Sequence, residues 1–103
     1  MKRTSKRATE QEAHLRQRVT HWGERLKIRP RTVRIQRMTR KWGSCSTHGI
    51  VTLSRDLSHR TAEFQDFVIV HELLHLRLPN HSRLFKAAMS LHVPNWRKLH
   101  VSK

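Results

Sequence analysis

The residues best able to do chemistry are His71-Glu-Leu-Leu-His75. Residues four apart on an α-helix lie one turn above each other on the same face, so the two imidazoles can reach one metal ion. Glu72 lies one position round, near the metal without being forced into its coordination shell. There it can take a proton from a metal-bound water as general base. Zinc suits these donors: it needs no redox partner and brings the pKa of its water to about 7. The pattern predicts metal-assisted hydrolysis. The alternative is a pair of core histidines bonded to backbone carbonyls. Against it, two histidines and a glutamate in the most apolar helix of the sequence would be costly to bury without a partner.

A catalytic zinc needs a third protein ligand and one open position. No Asp or Glu follows Glu72, which excludes a downstream carboxylate ligand. The histidines that follow are His81, His92 and His100. His81 is the expected third ligand, because the Pro79-Asn80 break must bend the chain back over the metal face. The alternative for it is an exposed histidine near a helix start. His92 and His100 are expected to be solvated or, at most, substrate-facing. One zinc per chain, held by His71, His75 and His81, is the resulting expectation. The ligand spacing equals that of the metzincins, but their glycine falls where this chain has Leu78. The spacing is therefore a shared solution to ligand geometry rather than membership.

These residues need elements to position them. Leu15, Val19, Trp22 and Leu26 mark one face of an amphipathic helix from about Thr9 to Leu26, weakened late by Gly23 and closed by Pro30. Thr32 to Met38 alternates as a half-buried strand, and Ile50 to Ser54 reads as a second. Gly49, able to take positive φ, suits a hairpin between them. Lys41 to Ser46 is a polar loop. Ser58 or Thr61 caps the metal helix, which runs to about Leu78 before Pro79 stops it. Asn80 or Ser82 starts another helix carrying Leu84, Phe85, Ala88 and Leu91, and Pro94 opens a last turn with Trp96 and Leu99. The fold class is α+β, a small antiparallel sheet packed against the metal helix and flanking helices. Ile50 to Ser54 is the expected sheet edge beside the cleft, where an extended peptide can add as a strand.

At 103 residues the chain is one domain with one modest core. Residues 1–8 read as a basic flexible tail and 9–103 as the folded domain. The basic start leads into Glu10, Gln11 and Glu12 rather than an apolar run, so no secretory signal is expected. No apolar run is long enough for a membrane span. A single cysteine, Cys45, cannot form an intrachain disulfide, which makes the cytoplasm the expected setting. The net charge of +15 is crowded into Lys2 to Lys41, opposed there only by Glu10, Glu12 and Glu24. Either it is a solvated basic face, or it binds nucleic acid weakly, sequence-indifferently and in a salt-sensitive way.

The run Arg37-Met-Thr-Arg-Lys-Trp-Gly-Ser-Cys-Ser46, then Ile50-Val-Thr-Leu, then His71-Glu-Leu-Leu-His75-Leu and Asn80-His81-Ser82 with Phe85, resembles the YgjP-like metallopeptidase domain. More distantly it is similar to SprT-like zinc proteases. The similarity extends from about Leu15 to Trp96. It implies a minimal zincin-like fold, metal ligands at His71, His75 and His81, a general base at Glu72, and a peptide or protein substrate. Typical members carry a longer N-terminal region with extra strands. Trp42, Gly43, Ser44 and Cys45 belong to the signature without a role that chemistry alone assigns. Trp42 suits the core. Cys45 suits a small buried hydrophobe, the other possibility being a thiolate near the zinc. With no tyrosine in the chain, an arginine, His92, His100 or a backbone N–H must stabilise the oxyanion. The rival function is a basic nucleic-acid-binding module with a structural zinc. Four protein ligands would favour that rival, an open fourth position catalysis.

Overall fold

The computed structural model describes residues 6–100 and 103, with side chains from Glu10 onward. Helix α1 spans Lys6–Leu26. It starts three residues earlier than the apolar periodicity indicates, because Lys6, Arg7 and Ala8 are all good helix formers that extend it. Residues 1–5 of the expected tail lie outside the described residues. Leu15, Val19 and Trp22 are buried as the spacing predicts. The helix ends in a Schellman-type cap: Lys27 takes positive φ (58°) and the Ile28 N–H donates to Gly23 O at 3.0 Å. A Cβ on residue 23 would stand 2.9 Å from the Ile28 carbonyl, so Gly23 is what lets the chain fold back here.

Strands β1 (Thr32–Gln36), β2 (Gly43–Cys45) and β3 (Ile50–Ser54) form one sheet in the order β1-β3-β2. The sheet is mixed rather than antiparallel. β1 runs parallel to β3 with Thr32 opposite Ile50, while β2 runs antiparallel with Gly43 opposite Leu53. Gly49, at φ 84°, does turn a hairpin, but between β2 and β3. The reason lies in connection length. Residues 37–49 supply the roughly dozen residues that a parallel crossover needs, whereas Ser46–Gly49 can join only antiparallel neighbours. Strand β2 is Gly-Ser-Cys, poor in β-formers, and so resembles a loop in sequence.

After a 3-10 turn at Arg55–His59, helix α2 (Ala62–His75) passes through the middle of the molecule. Thr61 caps it, accepting from the Phe64 N–H at 3.1 Å. Phe64, Phe67 to Val70, Leu73 and Leu74 are all buried against α1, the sheet and the later helices. Asp66 ties α1 to α2 by accepting from Trp22 Nε1 at 2.9 Å and from the Arg18 guanidinium. Helix α2 ends at His75 rather than near Leu78. Leu76 to Leu78 continue as a turn, because Pro79 disfavours helical geometry in the residue before it. Helix α3 (Arg83–His92) starts under a Ser82 cap that accepts from Phe85 N–H, and α4 (Trp96–Leu99) closes the fold. Among the described residues, no helix is long and apolar enough to cross a membrane.

Candidate metal centre

From Phe67 onward, His71 and His75 are the two side chains of α2 that reach partly into the open, with Glu72 buried between them at 7% exposure. The turn at Leu76–Asn80 brings His81 back over them, and the Ser82 cap fixes where that return ends. One ring nitrogen from each of His71, His75 and His81 lies within 4.8 Å of the other two. His75 Nδ1 stands 3.0 Å from the Leu78 carbonyl, which accepts a proton, so Nδ1 carries the hydrogen and Nε2 keeps its lone pair. That Nε2 lies 2.9 Å from His81 Nε2. His71 Nδ1 donates to Glu72 Oε2 at 3.0 Å, which frees its other nitrogen in the same way. Partial loss of hydration, then the neighbouring imidazoles of His75, His71 and His100 and the Lys86 ammonium, hold the His81 pKa below the ordinary histidine value. His81 is thus neutral at pH 7, the form that binds metal.

These donors fit a zinc ion. Three imidazoles converge with one ring nitrogen each, as a three-histidine site requires, and a tetrahedral centre would space its nitrogens by about 3.4 Å. Among the described residues no fourth histidine, cysteine or carboxylate joins the group. Cys45 lines the neighbouring cleft, but burial first, and then the Glu72 carboxylate, push its thiol pKa up. It remains a protonated, half-buried hydrophobe rather than a thiolate.

Phe85, 1% exposed, is the platform beneath the cluster. Its ring stacks on His75 and His81 at centroid distances of 4.6 and 4.8 Å and meets His71 edge-on at 5.5 Å. Phe67 flanks His71 at 5.9 Å.

A cleft of about 780 Å³ opens beside the histidines. Its sheet wall is β2, not Ile50 to Ser54. β3 is the central strand, paired on both sides, so of the two edge strands it is β2 that lines the cleft. Gly43 allows this wall to approach α2: a Cβ there would lie 3.1 Å from both Glu72 Cγ and Val68 Cγ1. Trp42 packs edge-on against Phe64 at 5.2 Å, a half-buried part of the core as expected. His92 is half-buried rather than fully solvated. It packs edge-on against Trp22 at 6.1 Å, and burial followed by Arg25 lowers its pKa. His100 is exposed and meets Phe67 edge-on at 6.1 Å.

The profile of the family described as "YgjP-like, metallopeptidase domain" matches residues 2–102. The chain belongs to this family. Among solved structures, the YgjP-like domain is similar to the metallopeptidase zymogen of Pyrococcus abyssi abylysin, with a TM-score of 0.73 and 21% identity over 82% of this chain and 87% of that one. It is also similar to the metallopeptidase zymogen of Methanocaldococcus jannaschii jannalysin, with a TM-score of 0.69 and 22% identity over 76% and 80%. At such identities these two matches establish the shared fold. No curated protein matches the chain significantly.

Two supports of the YgjP-like site carry weak signals in sequence. Gly43 acts by what it lacks, and Phe85 is indistinguishable from any helix-face aromatic. Replacing Phe85 by Ala should cost about 3–5 kcal/mol of stability, the range for deleting a buried phenylalanine. Loss of the platform should also weaken metal binding. Chemical denaturation of the metal-free protein isolates the first effect, and an unchanged midpoint would remove Phe85 from the core.

Proposed function

We propose that this YgjP-like domain is a zinc-dependent peptidase, with zinc held by His71, His75 and His81 and with Glu72 as general base. The observation that carries the proposal is the three-histidine group with no fourth protein ligand among the described residues. A structural zinc in a nucleic-acid-binding module would call for four.

Zinc bound there would supply a Lewis acid and an acidified water. The chain's own residues do the rest. The buried Glu72 carboxylate takes a proton from the attacking water and passes it to the leaving amine. Its hydrogen bond from His71 Nδ1 and the close approach of Gly43 hold it in place. The free edge of β2 offers backbone groups of Gly43 to Cys45 to an extended peptide, which joins the sheet as another strand. Main-chain pairing orients the scissile amide without demanding a particular side chain.

The test is hydrolysis of an unbiased peptide library by the zinc-loaded protein. Cleavage should vanish on chelation and return when zinc is restored. Cleavage that survives full metal removal, shown by elemental analysis, would refute a metal-dependent peptidase.

A further inference from the structure

We propose that the substrates of this cleft are acidic peptides, selected by a basic wall made of Arg29, Arg77 and Lys41. The inference deepens the peptidase function proposed above and rests on it. All three cations line the cleft beside His71 and His75, and among the described residues the only carboxylate lining it is Glu72. None of the three takes part in an ion pair among the described residues. Four of the seven acids are engaged elsewhere: Asp66 with Arg18, Glu12 with Arg55, Asp56 with Lys103, and Glu63 with Asn95. Three unpaired cations against the one Glu72 carboxylate leave the cleft with an excess of positive charge, in a concave site whose walls focus the field.

The wall is built rather than incidental. The Schellman cap of α1 sets Ile28 and Arg29 at the cleft, and the Arg77 guanidinium donates to the Lys27 carbonyl of that cap at 2.6 Å. Arg77 follows His75 by two residues, so the same turn that completes the histidine cluster carries it to the rim. Ile28, Arg29 and Arg77 also line an adjoining groove of about 840 Å³, whose single acid is Glu24. Lys41 lies beyond Gly43 at one end of β2. Arg29 lies near the other, since Arg31 N–H bonds Gly49 O in the turn that follows Cys45. A peptide paired with β2 would thus meet two arginines on one side of the scissile bond and one lysine on the other. Acid preference should be strongest on the arginine side.

The experiment uses three matched peptide sets, rich in Asp/Glu, in Asn/Gln or in Lys. Cleavage by the zinc-loaded wild type is measured alongside binding to zinc-loaded Glu72→Gln at low and moderate salt. Acidic peptides should show KM and Kd lower by about tenfold, with the margin shrinking as salt rises. The Arg29→Glu/Arg77→Glu double variant should abolish the preference. Arg34→Glu/Lys98→Glu removes the same charge from β1 and α4, away from the cleft, and should preserve it within about twofold. Arg29→Glu alone, which forfeits no side-chain hydrogen bond among the described residues, should act in the same direction and covers the case in which the double variant misfolds. Peptides cut without acid preference would overturn this inference and leave the peptidase standing. Acidic peptides bound through Arg29 and Arg77 but never cut would overturn the peptidase, and with it their role as substrates, leaving only an acidic-peptide binding cleft. Equal loss in both double variants would reduce the effect to net charge and overturn the proposal. So would single-stranded DNA that outcompetes the acidic peptides and depends on Arg29 and Arg77.

Discussion

Glu72→Gln should lower peptide hydrolysis by about 10²–10⁴-fold, the usual contribution of a general base. Zinc content and melting temperature should hold. Glutamine keeps the length of the side chain and an oxygen that accepts from His71 Nδ1, so the contact at 3.0 Å can persist. It also keeps the fit beneath Gly43, where a larger or branched group would collide. What it loses is the ability to take a proton. Paired measurement of zinc stoichiometry, thermal stability and turnover checks the separation. Turnover equal to wild type would remove Glu72 from the mechanism. Loss of zinc would instead place its carboxylate among the ligands.

His75→Ala should abolish both metal retention and activity. The side chain sits at the centre of the cluster, 2.9 Å from His81 Nε2 and stacked on Phe85. An outer-sphere partner of a ligand is worth about 10–100-fold in metal affinity, so removal of the ligand itself should exceed about 100-fold. Because binding to the folded state adds stability, the wild type should melt lower after chelation, while His75→Ala should melt at one temperature with or without chelator. His81→Ala should follow the same pattern, whereas His92→Ala, against Trp22 on another part of the fold, should keep its zinc. Full zinc retention in His81→Ala, read by elemental analysis, would mean that the third ligand is misassigned.

Much of the histidine cluster was legible in the sequence because residue spacing decides which side chains share a helix face. The i, i+4 pair of His71 and His75 and the proline-forced return to His81 follow from helix periodicity and backbone rules. The core face of α1 and the Thr61 and Ser82 caps follow the same logic. The sheet was less legible. Strand direction depends on which segments meet in space, and the short Gly-Ser-Cys strand has neither alternation nor β-branched residues to announce it. Its discovery moves the cleft edge from β3 to β2 and gives Gly43 a reason: it clears the approach to Glu72 and Val68. His92 illustrates the other limit, since the spacing of a lone histidine says nothing of the tryptophan it will meet. The charge excess was plain in composition, but its concentration along the cleft required the fold to bring Arg29, Lys41 and Arg77 to one wall.

The central claim is that zinc is held by three histidines with one coordination position left for chemistry. X-ray absorption on the zinc-loaded protein, read with a crystal structure of the same complex, tests it most directly. The expected shell has three imidazole nitrogens at about 2.0–2.1 Å from His71, His75 and His81, and one oxygen from solvent. A sulfur scatterer from Cys45, or a fourth protein ligand such as His100 or the Glu72 carboxylate, would close the site and contradict it.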